Sequence, residues 1–117
     1  MTLSDFFAGI DLHDSMIEQV IYKKSAEELL MIIDLLNWRQ SAYKEEQEAE
    51  NLIRTLRFTG VTSYKTDPNI FVIDSNDIIE TRIERSAGGG RVTFILSAGF
   101  GSGVIELNIE AEHAEWQ

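Results

Sequence analysis

The 117-residue chain contains no cysteine, and that one absence removes disulfide frameworks, thiolate metal sites and cysteine nucleophiles together. Nothing in the sequence therefore requires an oxidising compartment, and the cytoplasm is the expected location. Basic residues are scarce too: ten Lys and Arg stand against twenty Asp and Glu, a formal charge of −10 and a pI near 4.5. Such a surface repels phosphate backbones, so direct binding to nucleic acid is not expected. Long apolar runs are missing. The longest, residues 29 to 36, is broken by Asp34 and falls far short of the roughly 20 residues that cross a bilayer, so no membrane span is expected. The first ten residues are acidic where a secretory signal needs a basic start, and they read as mature sequence.

Catalytic signatures are equally thin. Gly99-Phe-Gly-Ser-Gly lacks the Gly-Lys-Ser/Thr ending of a phosphate loop and leads into a strand pattern, so it reads as a hairpin turn, as does Gly88-Gly-Gly. His13 and His113 are the two histidines, and with Asp11, Asp14 and Glu112 they do not form the helical spacing of a zinc site. In the run Leu12-His-Asp-Ser, Asp14 or Ser15 is expected to accept a backbone amide and His13 to tie the loop to the sheet. No serine lies in a G-x-S-x-G elbow. No metal, no cofactor and no enzymatic activity are expected.

What the chain does contain is a two-residue rhythm. Val104-Ile-Glu-Leu-Asn-Ile-Glu-Ala-Glu alternates apolar with polar residues, placing Ile105, Leu107, Ile109 and Ala111 on one sheet face and Glu106, Glu110 and Glu112 on the other. Similar patterns mark strands at 16 to 22, from Leu52 past a bulge at Gly60-Val61 toward Tyr64, at 77 to 84 and at 92 to 96. Ile70-Phe-Val-Ile is a strand or a docking segment, after a turn that contains Pro68. Residues 27 to 38 combine a capping-box pattern, Ser25 with Glu28, with an apolar run that would leave a helix no wet face; a central strand is preferred. A short helix with Ser4 as its N-cap opens the chain. The sum is one α+β domain, mostly β, over residues 1–117: an antiparallel meander of six or seven strands curled into a sandwich or half-open barrel. No internal repeat is visible.

The connection near residues 41 to 50 reads as a solvated loop, or as an acidic prong formed by Glu45, Glu46, Glu48 and Glu50, and Glu106, Glu110 and Glu112 line the wet face of the last long strand. A basic protein partner fits both. The competing reading is a ligand-binding or enzymatic domain with a pocket lined by His13, Tyr22, Trp38 and Tyr64. A third is a structural homo-oligomer built by edge-strand pairing.

Leu12-His-Asp-Ser-Met-Ile-Glu-Gln-Val, then Leu29-Leu-Met-Ile-Ile-Asp and Ile53-Arg-Thr-Leu-Arg-Phe-Thr-Gly-Val, resemble a group of small bacterial proteins with an N-terminal L-H-D-S/A pattern. That group includes uncharacterised domains and immunity proteins of contact-dependent or polymorphic toxin systems. Over residues 10 to 61 the resemblance implies a stand-alone β-rich domain that binds another protein, a basic toxin among the candidates, with no catalytic residues to carry over.

Overall fold

Residues 27 to 38 decide the architecture, and most of them form a strand. Leu29, Met31, Ile33 and Leu35 are buried in strict alternation, while Leu30, Ile32, Asp34 and Leu36 are half covered on the opposite face. A helix would have turned some of these leucines and isoleucines to water, whereas a central strand has a neighbour on each side to shield them. The capping-box residue Ser25 lies instead in a single 3-10 turn, Lys24–Ala26, closed by Glu27 in the left-handed region at φ 50°.

The computed structural model describes residues 1–41, 43–44, 48–85, 89–98 and 103–117. Helix α1 (Leu3–Ala8) is followed by strands β1 (Met16–Lys23), β2 (Glu28–Leu36), β3 (Asn51–Thr59), β4 (Ser63–Asp67), β5 (Asn76–Glu84), β6 (Gly90–Ser97), β7 (Val104–Ala111) and β8 (His113–Trp116). They form one antiparallel sheet of eight strands, in the order β4-β7-β6-β5-β1-β2-β3-β8, which curls without closing into a barrel. The expected six or seven strands become eight because the Gly60-Val61 bulge is a corner that separates β3 from β4, and because residues 113 to 116 pair with β3. Ile70-Phe-Val-Ile forms no strand; Phe71 and Ile73 pack on the core while Ile70 and Val72 face solvent. Thr2, not Ser4, caps α1 by accepting from the Asp5 amide at 3.2 Å. Of the glycine turns expected at 88 to 90 and 99 to 103, residues 88 and 99 to 102 lie outside the described residues.

The two halves of the sheet face each other across Phe58 and Phe94, whose rings lie 6.5 Å apart. Phe7 of α1 meets both, at 6.3 and 6.0 Å. Leu29, Met31, Ile33, Leu56, Leu96, Leu107 and Ile109 complete this core with no exposed surface, each contributing about 1.5–3 kcal/mol by leaving water. At the corner Gly60 takes φ +64°, and a Cβ there would lie 2.8 Å from the Glu112 side chain. The Thr62 amide then donates to the Glu110 carbonyl at 2.9 Å, which carries the chain from the edge of β3 to the edge of β7.

The topology has an internal two-fold character that the sequence hides. Exchange β1, β2, β3 and β4 for β5, β6, β7 and β8, and the strand order reads the same from its other end. The correspondence continues in detail. β1 has a register shift between Ile17 and Gln19, and β5 has one between Ile78 and Glu80. Just before each strand a non-glycine residue adopts positive φ, Asp14 at 67° and Ser75 at 51°. The next residues, Ser15 and Asn76, are the two buried polar side chains among the described residues. Ser15 Oγ accepts from the amide of Leu36, the last residue of β2, at 2.9 Å, and Asn76 Nδ2 donates to the carbonyl of Ser97, the last residue of β6, at 2.7 Å. The halves meet where Met16 and Ile17 pair with Asp77 and Asn76.

Candidate functional site

The connection from β2 to β3 leaves the sheet through a 3-10 turn, Asn37–Arg39, and the side chains around that turn are held from several directions. Gln40 clamps it: its Nε2 donates to the Asp11 carbonyl at 2.6 Å and the Leu36 carbonyl at 3.1 Å, and its Oε1 accepts from the Asp11 amide at 2.9 Å. Arg39 donates to Asp11 and Asp14, each at 3.3 Å. Asn37 Nδ2 donates to the Ala49 carbonyl at 3.0 Å, and the Trp38 amide to the Glu50 carbonyl at 3.1 Å. The returning chain is thereby fastened beside the outgoing one.

This framework presents Trp38 half exposed, at 50 %, with the Arg39 guanidinium 5.4 Å from its ring centroid. On the outer face of the sheet close by, Ile53 is 62 % exposed and pairs across from Asp34, which accepts from Asn51 at 3.4 Å. Glu48 and Glu50 stand on the same connection; Glu48 Oε2 accepts from the Lys44 amide at 3.3 Å. An aromatic side chain, an aliphatic one and three carboxylates thus share one end of the first half. Glu45 and Glu46, expected on the same prong, lie outside the described residues.

The other expected acidic residues stand elsewhere and in different company. Glu106 and Glu110 project from β7 onto the outer face of the second half, in a lattice with β4, β5 and β6. Across that face run Glu84, Arg91, Glu110 and Ser63 in one row and Arg82, Thr93, Asn108 and Lys65 in the next. Arg91 binds Glu84 at 2.7 Å and Arg82 binds Glu80 at 3.0 Å. Hydrogen bonding from Arg82 holds the Glu80 carboxyl below the usual carboxylate range, and donation to Glu84 raises the pKa of the Arg91 guanidinium. Charges of both signs interleave here, so the wet face of β7 is a mixed lattice rather than an acidic patch. Glu112 sits at the corner over Gly60.

Below the connection lies an open cleft of about 490 Å³. Its walls include Ile10, Leu35, Leu52 and Trp116, with Asn37, Tyr43 and Glu48 toward the loop and Arg54 inside. Arg54 occupies the inward parity of β3, alternating with buried Leu56 and Phe58, and its guanidinium carbon stands 4.5 Å from the Trp116 ring centroid. Sequence reasoning passed over it. The available signal was a charged residue at a position whose neighbours two and four residues on are core leucine and phenylalanine.

The four residues expected to line a single pocket are not brought together. Tyr22 and Tyr64 pack edge-to-face with ring centroids 5.4 Å apart, bridging β1 and β4, and burial raises the Tyr64 phenol above its ordinary pKa. His13 lines a different hollow with Phe7, Ile79 and Thr81. Its Nδ1 lies 2.9 Å from the Ile79 carbonyl, the expected tie between loop and sheet, while Ser15 is the hydroxyl that accepts a backbone amide. Among the described residues, no three of His, Cys, Asp or Glu are grouped as metal ligands, and no helix is long and apolar enough to cross a membrane. Comparison with family models, with curated proteins and with solved structures gave no match to this chain.

Proposed function

We propose that this protein is a non-enzymatic binding domain that docks a basic protein through the end of the sheet carrying Trp38. The observation that carries the reading is the half-exposed tryptophan on a turn tied down at Arg39 and Gln40. Leaving so large an aromatic surface in water forfeits burial energy, and an aromatic anchor inside a polar rim is the usual form of an interface hot spot. Ile53 extends the apolar contact, and Asp34, Glu48 and Glu50 supply a rim that attracts a cationic partner and sets its orientation. Because the turn is already fixed, little conformational entropy is lost when a partner closes on it.

The specific form we propose is an immunity protein that neutralises a basic toxin. Two things support it: the acidic balance of the chain, which suits a cleft evolved for polyanions, and the resemblance of residues 10 to 61 to immunity-type domains. In that reading Leu12-His-Asp-Ser recurs for structural reasons, since His13 and Ser15 each fasten the loop to a strand.

Pull-down from the native host with the wild-type chain and with Trp38→Ala tests this. A basic protein should be captured by the wild type, and Trp38→Ala should weaken its affinity by about 2 kcal/mol, roughly thirtyfold. Raising the salt should slow association. Equal capture of the same proteins by wild type and Trp38→Ala would exclude the proposed face.

A further inference from the structure

The internal two-fold relationship provides a control for every position in the first half: the structure of its counterpart in the second. Leu35 corresponds to Leu96, both buried. Leu52, Arg54 and Leu56 of β3 correspond to Ile105, Leu107 and Ile109 of β7, by their pairing with β2 and β6. Trp116, opposite Leu56 on β8, corresponds to Tyr64, opposite Ile109 on β4. In the second half these positions are closed: Leu96, Ile105 and Leu107 are all buried. In the first half the same wall is open, with Leu52 41 % exposed and an arginine where the counterpart is a core leucine. The two halves therefore differ at the cleft.

The guanidinium placed there is unlike the four arginines that are paired with carboxylates. Arg39, Arg57, Arg82 and Arg91 each hold a carboxylate at 2.7 to 3.3 Å. Among the described residues Arg54 holds none, and of the other arginines the exposed Arg85 alone shares that condition, although acids outnumber bases two to one in the sequence. Its guanidinium carbon stands over the Trp116 ring at 4.5 Å, and its N–H groups remain available as hydrogen-bond donors. Glu48, on the same cleft, is occupied by its own loop, accepting from Lys44 and Asn37 at 3.3 and 3.4 Å. A guanidinium takes a carboxylate with two parallel hydrogen bonds, and the cation–π contact with Trp116 holds it in the cleft in advance. Ile10, Leu35, Leu52 and the Trp116 ring make up the apolar side of the cleft, and Asn37, Gln40, Ser41 and Tyr43 line its polar side.

We infer that this cleft is a binding site for a small carboxylic acid with an apolar body, its carboxylate on the edge of Arg54 and its hydrocarbon part against Leu35, Leu52 and Trp116. The volume of about 490 Å³ lies within the range of small-molecule sites. The inference stands apart from the docking face at Trp38, because it rests on the inward side of β3 and on β8.

Octanoate and phenylacetate are the probes, with octanol and 2-phenylethanol as uncharged counterparts, titrated while the indole N–H signal of Trp116 is followed by heteronuclear NMR. At least one acid should bind and shift that signal, and its alcohol should bind weaker by on the order of tenfold or more, the value of a charge-assisted pair. Arg54→Leu, which installs the residue of the counterpart position, should lower the acid's affinity by a similar factor and leave the alcohol's unchanged. Three results overturn the inference: no shift with either acid up to millimolar concentration, an alcohol that binds as well as its acid, or full acid binding by Arg54→Leu. The comparison of acid with alcohol needs no variant, so it decides the matter even if Arg54→Leu folds poorly.

Discussion

Asn76→Ala is the substitution with the most to say about how the halves are joined. Asn76 is 6 % exposed, and its side chain makes two hydrogen bonds, Nδ2 to the Ser97 carbonyl and Oδ1 from the Asp74 amide, both 2.7 Å. Alanine removes both. The Asp74 amide belongs to an exposed residue and can turn to water, at a cost of about 0.5 kcal/mol, while depriving the half-buried Ser97 carbonyl of this donor costs about 1–2 kcal/mol. The expected loss is about 2 kcal/mol, or a fall of roughly 8 °C in Tm for a domain of this size. Ser15→Ala removes a single acceptor, that of the Leu36 amide, and should cost about 1 kcal/mol. Urea unfolding followed by tryptophan fluorescence and by far-ultraviolet circular dichroism measures both. The two probes should give coincident transitions with the wild-type slope, because the joint belongs to both halves. A loss below about 0.5 kcal/mol for Asn76→Ala, or a Ser15→Ala variant that is the less stable of the two, would refute the assignment.

Two further perturbations separate causes. Gly89→Ala should destabilise more than Gly60→Ala in the same unfolding assay. Both glycines have positive φ, but a Cβ at Gly89 would lie 2.6 Å from the Ala111 carbonyl oxygen, which is backbone, whereas at Gly60 it meets the flexible Glu112 side chain. The hydrogen bond from Arg57 holds the Glu28 carboxyl below the usual range. A depressed folded pKa contributes stability above the unfolded value, so that share should fade as the pH falls from about 4.3 through the lowered folded value. Glu28→Gln should flatten this part of the acid limb, and an unchanged pH profile would count against the pairing.

Strands with one wet face were legible because polar and apolar residues alternate in them: β5, β6 and β7 follow directly from residues such as Ile105, Leu107 and Ile109. β2 was legible for the opposite reason, having too little polarity for any helix face. Edges were harder. β8 offers only Ala114 and Trp116 to the interior, too short a run to show a period, and β4 looked continuous with β3 because nothing local in Gly60-Val61-Thr62 says that its next partner is β7. The two-fold pattern was invisible because the halves share backbone roles rather than side chains: Ser15 accepts where Asn76 donates, and Asp14 and Ser75 share only a sign of φ. The site was partly legible. Trp38, Glu48 and Glu50 were recognisable by type, whereas Arg54 needed Trp116, distant in sequence, to become more than one charge among thirty.

The crossing of β4 and β8 has a mechanical corollary. Each half gives its final strand to the other's border, β4 to β7 and β8 to β3, so the two are clasped like hands whose outer fingers have been interchanged. Peptide continuity from residue 68 to residue 75 is only one tie among several, since three separate antiparallel ladders also hold the clasp. A nick in that stretch would leave two pieces, each bearing an edge that the other is shaped to complete.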